Sequence, residues 1–111
     1  MQARYRMRKS AQFQYVYRKG KASSGRLMTL IFVSGRSMKA GFSVSKRVGG
    51  SVVRNYVKRR LREVFRLAAP ELRTGSYVVV AKPPSAEVGF HEMRAEFLRL
   101  ARRNACMKEQ P

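Results

Sequence analysis

The spacing of apolar and polar residues predicts that the chain begins with a short helix. Apolar side chains within residues 11–18 recur at i, i+3 and i+4, the period of one helix face. They are Phe13, Val16 and Tyr17. Ser10 is a residue type preferred at an N-cap, and Gly20 is expected to end the helix.

Two segments with strand character follow this helix. Residues 25–34 form a β-prone apolar run, and residues 35–39 have the composition of a turn. In residues 40–46, Phe42 and Val44 alternate with small or polar residues. Two strands joined by a short turn predict an antiparallel hairpin.

The second half of the chain predicts a long helix and a buried strand. Residues 51–69 keep a helical period up to Pro70, and residues 76–82 are a largely apolar run that Pro83 and Pro84 end. A strand without polar alternation is expected to be covered on both faces. We therefore place this strand at the centre of the sheet.

A final helix is predicted to begin at Ser85 or Glu87 and to run to about Asn104. Five apolar residues lie on one side of it. They are Phe90, Met93, Phe97, Leu100 and Ala101. The element order, α-β-β-α-β-α, predicts an α+β sandwich of three helices against a small sheet.

The length of the chain fits one domain. Its 111 residues suffice for a single modest core, and an apolar fraction of 44% argues against disorder. We expect one domain over residues 1–111, with an ordered core over about residues 8–104 and flexible termini.

The charge of the chain points to a polyanionic partner. There are 25 Lys and Arg residues against 6 acids, which gives a net charge of +19. Repulsion among these cations disfavours the folded chain, whereas binding to phosphates releases counterions and gains affinity. Nucleic acid is therefore the partner that the composition predicts.

Cysteine and histidine usage argues against a disulfide or zinc framework. Cys106 is the single cysteine and His91 the single histidine, too few for either. We interpret Cys106 as a bystander near a frayed end. The sequence has no apolar run of membrane-spanning length and no secretory signal pattern, so we expect a cytoplasmic protein.

The cations of the long helix lie to one side of its apolar stripe. The predicted core positions are Val53, Val57, Leu61, Val64 and Ala68. An adjoining side carries Arg54, Lys58, Arg62 and Arg66, with Asn55 and Arg59 just behind. A solvated face is one interpretation, but such faces usually interleave acids, and here only Glu63 does so. The pattern favours a surface that follows RNA phosphates. Upstream, Lys46 and Arg47 lie in a glycine-containing loop that could meet phosphate at the helix N-terminus.

These residues resemble a known family. The segment "GFSVSKRVGGSVVRNYVKRRLREVFR", residues 41–66, is similar to the signature of the bacterial ribonuclease P protein subunit. The resemblance extends to "FQYVYRKG", to "YVVVAKP" and to the final helix. The Arg-Asn and Lys-Arg motif of the family falls on Arg54, Asn55, Lys58, Arg59 and Arg62.

The resemblance implies both a fold and a function. The fold would be the one shared with the second domain of ribosomal protein S5, a mixed sheet with a left-handed β-α-β crossover. The protein would assist a catalytic RNA that removes the 5′ leader from precursor tRNA with Mg²⁺. It would bind the RNA subunit through the basic helix and would itself hold no cofactor and no catalytic residue.

The resemblance also implies a cleft for the single-stranded leader between the first helix and the sheet. Its predicted residues are Phe13, Val16, Tyr17 and Ile31. Packing in the core is an equal alternative for Phe13, whereas the hydroxyl of Tyr17 favours the cleft. Ile31 stands where the family often has an aromatic residue, with Phe32 next to it on the opposite strand face.

Three alternative functions share features with this sequence. A structural RNA-binding protein of the ribosomal type would share this charge and size, and an assay with precursor tRNA distinguishes it.

Intrinsic RNA cleavage is disfavoured because "HEMRAE" has Ala95 where a zinc helix needs a second His. Glu92 and Glu96 are then acids in the first turns of a helix, where they suit its dipole. A membrane-active peptide is disfavoured because the apolar stripes are used by the core.

Overall fold

The structure is a computed structural model that describes residues 5–7 and 9–108. Within these residues it contains three α-helices, four strands and two short 3₁₀ turns. The helices are α1 (Ser10–Lys19), α2 (Ser51–Ala68) and α3 (Phe90–Arg103). The strands are β1 (Lys21–Ser24), β2 (Met28–Ser34), β3 (Lys39–Ser43) and β4 (Gly75–Ala81). The 3₁₀ turns are Ala69–Glu71 and Pro83–Glu87.

The strands form one mixed sheet in the order β1-β2-β4-β3. β2 is antiparallel to both β1 and β4, and β3 is parallel to β4. The central place predicted for the segment after Pro70 is confirmed, because β4 has a neighbour on each side. The predicted hairpin is wrong: β4 lies between β2 and β3. The turn after β2 reverses the chain but does not determine which strand pairs with β2, and the apolar β4 is covered best between the two.

β1 was not predicted from the sequence. Its four residues, "KASS", have no apolar alternation, and they pair with Thr29–Phe32 of β2. The parallel strands β3 and β4 are joined through α2, as the mixed sheet implied by the family requires. The left-handed sense of this crossover stays a prediction.

Helices cover both faces of the sheet. On one face α2 and α3 enclose the main core around Phe65, whose ring lies 6.2 Å from that of Phe42 and 5.5 Å from that of Tyr77. On the other face α1 packs on β2 and β4 through Val16, Ile31 and Val78. The predicted sandwich of a small sheet and three helices is confirmed.

Three predicted details of the helices are corrected. Ser10 is the first residue of α1, and the backbone N–H of Lys9 before it donates to Gln12 Oε1 at 3.1 Å. α3 begins at Phe90, because the prolines form a separate 3₁₀ turn that ends at Glu87. On α2, Val53 is 37% exposed at the margin of the stripe, and Phe65 completes the core instead.

The segment after α3 is packed rather than frayed. The side chain of Cys106 is fully buried. The backbone N–H of Cys106 donates to the Ala101 carbonyl at 2.8 Å, and the backbone carbonyl of Cys106 accepts from Arg73 N–H at 2.6 Å. Burial raises the pKa of this thiol to about 11. Cys106 is therefore a core residue, contrary to the sequence interpretation.

The predicted ends of the ordered core, near residues 8 and 104, stay predictions. Residues 1–4, 8 and 109–111 lie outside the described residues, and with them part of the termini predicted to be flexible. Within the described ranges, no helix combines the length and the apolar character needed to cross a bilayer.

Candidate nucleic-acid interface

The predicted basic face of α2 lies outside the core. Val57, Leu61 and Val64 are buried on the adjoining side of the helix. Asn55 and Arg59 are exposed. Arg54, Lys58 and Arg62 are partly exposed at the border between the core stripe and solvent. The helical period therefore separates cations from core as predicted.

The loop before α2 is anchored by its apolar residue. Val48 is buried and donates its N–H to the Ser45 carbonyl at 3.1 Å, which forms a tight turn. Lys46 and Arg47 lie within this turn and are both exposed. Gly49 follows with φ +158°, near extended backbone. The turn thus presents two more cations next to the start of α2.

Arg66 differs from the other cations of this face. Its guanidinium donates two hydrogen bonds to Glu63, from Nε at 3.1 Å and from Nη2 at 2.5 Å. This contact lowers the pKa of Glu63 and raises the pKa of Arg66. Arg66 is therefore a predicted RNA-binding residue whose guanidinium is already paired with an acid, although the pair is exposed.

Arg54 and Arg62 have donors without acceptors. The Nε atom of each is buried and finds no hydrogen-bond partner among the described residues. Burial, and secondly the nearby Arg6 guanidinium, lower the pKa of Arg62. A buried charged donor without an acceptor is costly, so an anion at this place would gain more than at an ordinary exposed arginine.

A cavity of about 120 Å³ lies between the basic face and α1. Its lining includes Phe13 of α1, Lys58 and Arg62 of α2, and Arg6. On the sheet side it is closed by Gly41, where a Cβ atom would come within 2.4 Å of Phe13 Cζ. Glycine thus lets the Phe13 ring lie directly on β3. The cavity joins a residue of the predicted leader cleft to two residues of the predicted basic face.

Three of the four predicted cleft residues, Phe13, Val16 and Ile31, pack in one cluster between α1 and the sheet. Tyr17 is 46% exposed and Phe13 is partly buried. Val16 is 1% exposed and Ile31 is 8% exposed, so both are buried between α1 and the sheet. Their contact with a leader stays a prediction.

The structure assigns the two adjacent β2 residues to opposite faces. Ile31 packs in the α1 cluster, whereas Phe32 packs in the main core with its ring 4.6 Å from that of Tyr77. Ile31 therefore occupies the α1 side of the strand, as predicted, and Phe32 cannot take its place in the cleft without turning the strand over.

Arg6 was missed as a candidate site residue. It pairs with Ala40 of β3 in an isolated parallel bridge, and Met7 N–H beside it donates to the Ala40 carbonyl at 2.9 Å. The alternation of cations and apolar residues in "RYRMR" is a strand signal that could have located it. Arg6 adds a cation from a third segment to the cavity.

The described residues do not assemble a metal centre. Nowhere in residues 5–7 and 9–108 do three or more His, Cys, Asp or Glu side chains group closely enough to hold an ion. Glu96, which the sequence suggested as a simple helix-dipole acid, is instead buried and accepts backbone hydrogen bonds from the turn between β1 and β2. Its role is structural.

Comparison with known proteins agrees with this architecture. The sequence profile of the family Ribonuclease P matches residues 1–105. The ribonuclease P protein component of Bacillus pumilus is 32% identical over 115 residues, which cover 100% of this chain and 97% of that protein. The ribonuclease P protein component of Natranaerobius thermophilus is 36% identical over 107 residues, covering 93% and 92%.

The fold is found in a solved structure with a related name. The RNase P protein of Staphylococcus aureus superposes with a TM-score of 0.85 at 25% identity, covering 94% of this chain and 98% of that one. The match of the family profile over nearly the whole sequence and the shared architecture lead to one conclusion. This chain belongs to the ribonuclease P protein family, the family of the protein component of that tRNA-processing enzyme.

Proposed function

We propose that this chain binds the RNA subunit of ribonuclease P and the 5′ leader of precursor tRNA, and that the RNA subunit carries out the cleavage. In this proposal the protein contributes affinity and positioning, while Mg²⁺ is held by RNA. The absence of Asp from the sequence supports this division, because paired carboxylates are the usual protein ligands of catalytic Mg²⁺. The proposal also expects a cytoplasmic location.

The observation that carries the proposal is the cavity shared by Phe13, Lys58 and Arg62. In this proposal the cavity is the point at which the leader passes from Phe13 to the basic face. A single-stranded RNA could stack a base near α1 while its phosphates meet the cations of α2. A protein that only followed a duplex would need the cations but not the aromatic cleft.

The residues divide into three proposed roles. Arg54, Lys58 and Arg62 bind phosphates, with Asn55 and Arg59 at the margin of the same face. Lys46 and Arg47 extend the cationic surface at the N-terminus of α2. Tyr17 and Phe13 receive leader bases, supported from below by Val16 and Ile31.

Reconstitution with ribonuclease P RNA tests the proposal. At low Mg²⁺, added protein should raise the rate of precursor tRNA cleavage, and a variant with Ala at Arg54, Lys58 and Arg62 should not. The control variant has Ala at Arg36, Arg94 and Lys108, which removes the same charge from exposed positions elsewhere. No enhancement by the wild-type protein, together with stable incorporation into ribosomes, would favour the structural RNA-binding alternative.

A further inference from the structure

A second aromatic and cationic pocket lies on the other flank of α2. It has a volume of about 400 Å³ and lies between α2 and the start of α3. Its lining residues are Tyr56, Arg59, Arg60, Glu63 and Phe90. Tyr56 and Arg60 belong neither to the core stripe of α2 nor to its predicted basic face, so neither feature accounts for them.

The geometry of Tyr56 and Arg60 forms a stacking platform. They are one turn apart on α2, and the Arg60 guanidinium carbon lies 4.3 Å from the centroid of the Tyr56 ring. A Cβ atom at Gly89 would lie 3.7 Å from Arg60 Nη1, so the guanidinium extends beside a residue that has no side chain. Tyr56 remains 43% exposed despite this contact. An exposed ring beside an ordered guanidinium is the surface on which nucleobases stack.

The charge of the pocket also suits RNA. Among the described residues, the lining contains two arginines and one acid, Glu63, which already accepts two hydrogen bonds from Arg66 outside the pocket. The pocket is therefore cationic with aromatic walls. This combination matches a base attached to a phosphate better than it matches a purely apolar protein segment.

Arg59 connects this pocket to the proposed phosphate-binding surface. It lines the pocket and also belongs to the exposed basic side of α2. A strand whose phosphates follow the basic side would reach Tyr56 by crossing α2 at Arg59. The occupant that this connection favours is a nucleotide next to phosphates bound by the proposed basic face.

We propose that the Tyr56 pocket binds an unpaired nucleobase of the RNA held by the basic face, with the base stacked on Tyr56 and Arg60 and its phosphate at Arg59. This inference rests on the proposed function. The base belongs either to the RNA subunit or to precursor tRNA, and the test measures the two separately.

The experiment compares Tyr56→Ala, Tyr56→Leu and Tyr56→Phe. One arm measures affinity for ribonuclease P RNA alone, and the other measures affinity of the reconstituted holoenzyme for precursor tRNA. Tyr56→Ala and Tyr56→Leu should lower the affinity measured in one arm by about 5- to 100-fold, the range expected for one lost stacking contact. Tyr56→Phe should keep an affinity near that of the wild type. The dependence of log affinity on log salt should be unchanged, because no phosphate contact is lost. Leu67→Ala is the matched control, since Leu67 is an exposed apolar residue of the same helix.

The outcomes separate this inference from the proposed function. Unchanged affinity in both arms for Tyr56→Ala, while Arg54→Ala weakens binding, would overturn the pocket and leave the basic face. A change in the oligomeric state of the free protein, measured by light scattering, with unchanged RNA affinity would instead indicate a protein contact and overturn the inference. If Arg54→Ala also leaves RNA affinity unchanged, the result contradicts the proposed function itself.

Discussion

Glu96 Oε2 accepts a hydrogen bond from Leu27 N–H at 2.7 Å and a second one from Met28 N–H at 2.9 Å. Its other oxygen accepts from Arg26 N–H at 3.1 Å. Glu96 is 4% exposed, so these bonds fasten α3 to the start of β2 in a region without bulk water. The acid thus fixes the register between a helix and a strand that are distant in sequence.

We predict that Glu96→Gln lowers the free energy of unfolding by about 2 to 4 kcal/mol, because a charged acceptor of several backbone bonds is lost. Glu92→Gln is the control. Glu92 is an exposed acid of the same helix at 3.5 Å from Arg26, and its loss should cost at most about 1 kcal/mol. Urea unfolding followed by circular dichroism measures both, and equal effects would contradict the structural role of Glu96.

The ion pair between Arg66 and Glu63 gives a second prediction. Glu63→Gln should release Arg66, strengthen binding to ribonuclease P RNA and steepen the slope of log affinity against log salt by about 0.7 to 0.9. Glu87→Gln, at an exposed acid elsewhere, makes the same charge change without releasing an arginine. If both variants bind RNA equally well at each salt concentration, the contact with Glu63 does not limit RNA binding by Arg66.

A third prediction concerns the two sides of α2. With about six phosphate contacts, log affinity should fall against log salt with a slope near −4 to −5. Replacing Arg54, Lys58 and Arg62 with Ala should flatten this slope by about 2 to 3 while the domain stays folded. Leu61→Ala should instead cost about 2 to 5 kcal/mol of stability and leave the slope unchanged. The reverse result would mean that the helix faces are exchanged.

The buried thiol of Cys106 gives a fourth prediction. Its pKa is raised from 9.0 to about 11 by burial, so the thiol ionises in the unfolded chain before it ionises in the folded one. Its contribution to stability is fully present below pH 9 and is lost between about pH 9 and 11, by about 1.4 kcal/mol per pH unit. The wild type should therefore lose more stability than Cys106→Ala across this range in urea titrations. Equal losses of stability in the two proteins would contradict a contribution from the Cys106 thiol.

Local pattern was sufficient for the helices and for the separation of charge on α2. The cation row from Arg54 to Arg62 and the core positions Val57 and Leu61 follow from one period, which needs no knowledge of the rest of the chain. Spacing alone grouped Tyr17 with Phe13 and Val16, so its exposure was predicted from its hydroxyl. The position of Ile31 on the α1 side was predicted from the family resemblance.

Relationships across long sequence separations could not be predicted in this way. The pairing of β2 with β4 depends on which strand covers the apolar Val78 and Val79, a competition among all strands. The backbone groups that donate to Glu96 lie 68 to 70 residues away, so helical spacing gives no sign of them. Arg6 reaches its site only because β3 is available to pair with it.

The dependence of precursor affinity on leader length tests the central claim most directly. The reconstituted holoenzyme should bind precursors more tightly as the single-stranded leader lengthens to cross the surface from Tyr17 to Arg62. Tyr17→Ala should remove about 5- to 100-fold of that gain without changing affinity for mature tRNA. Affinity independent of leader length in the wild type, or cleavage of precursor by the protein without RNA, would contradict the account.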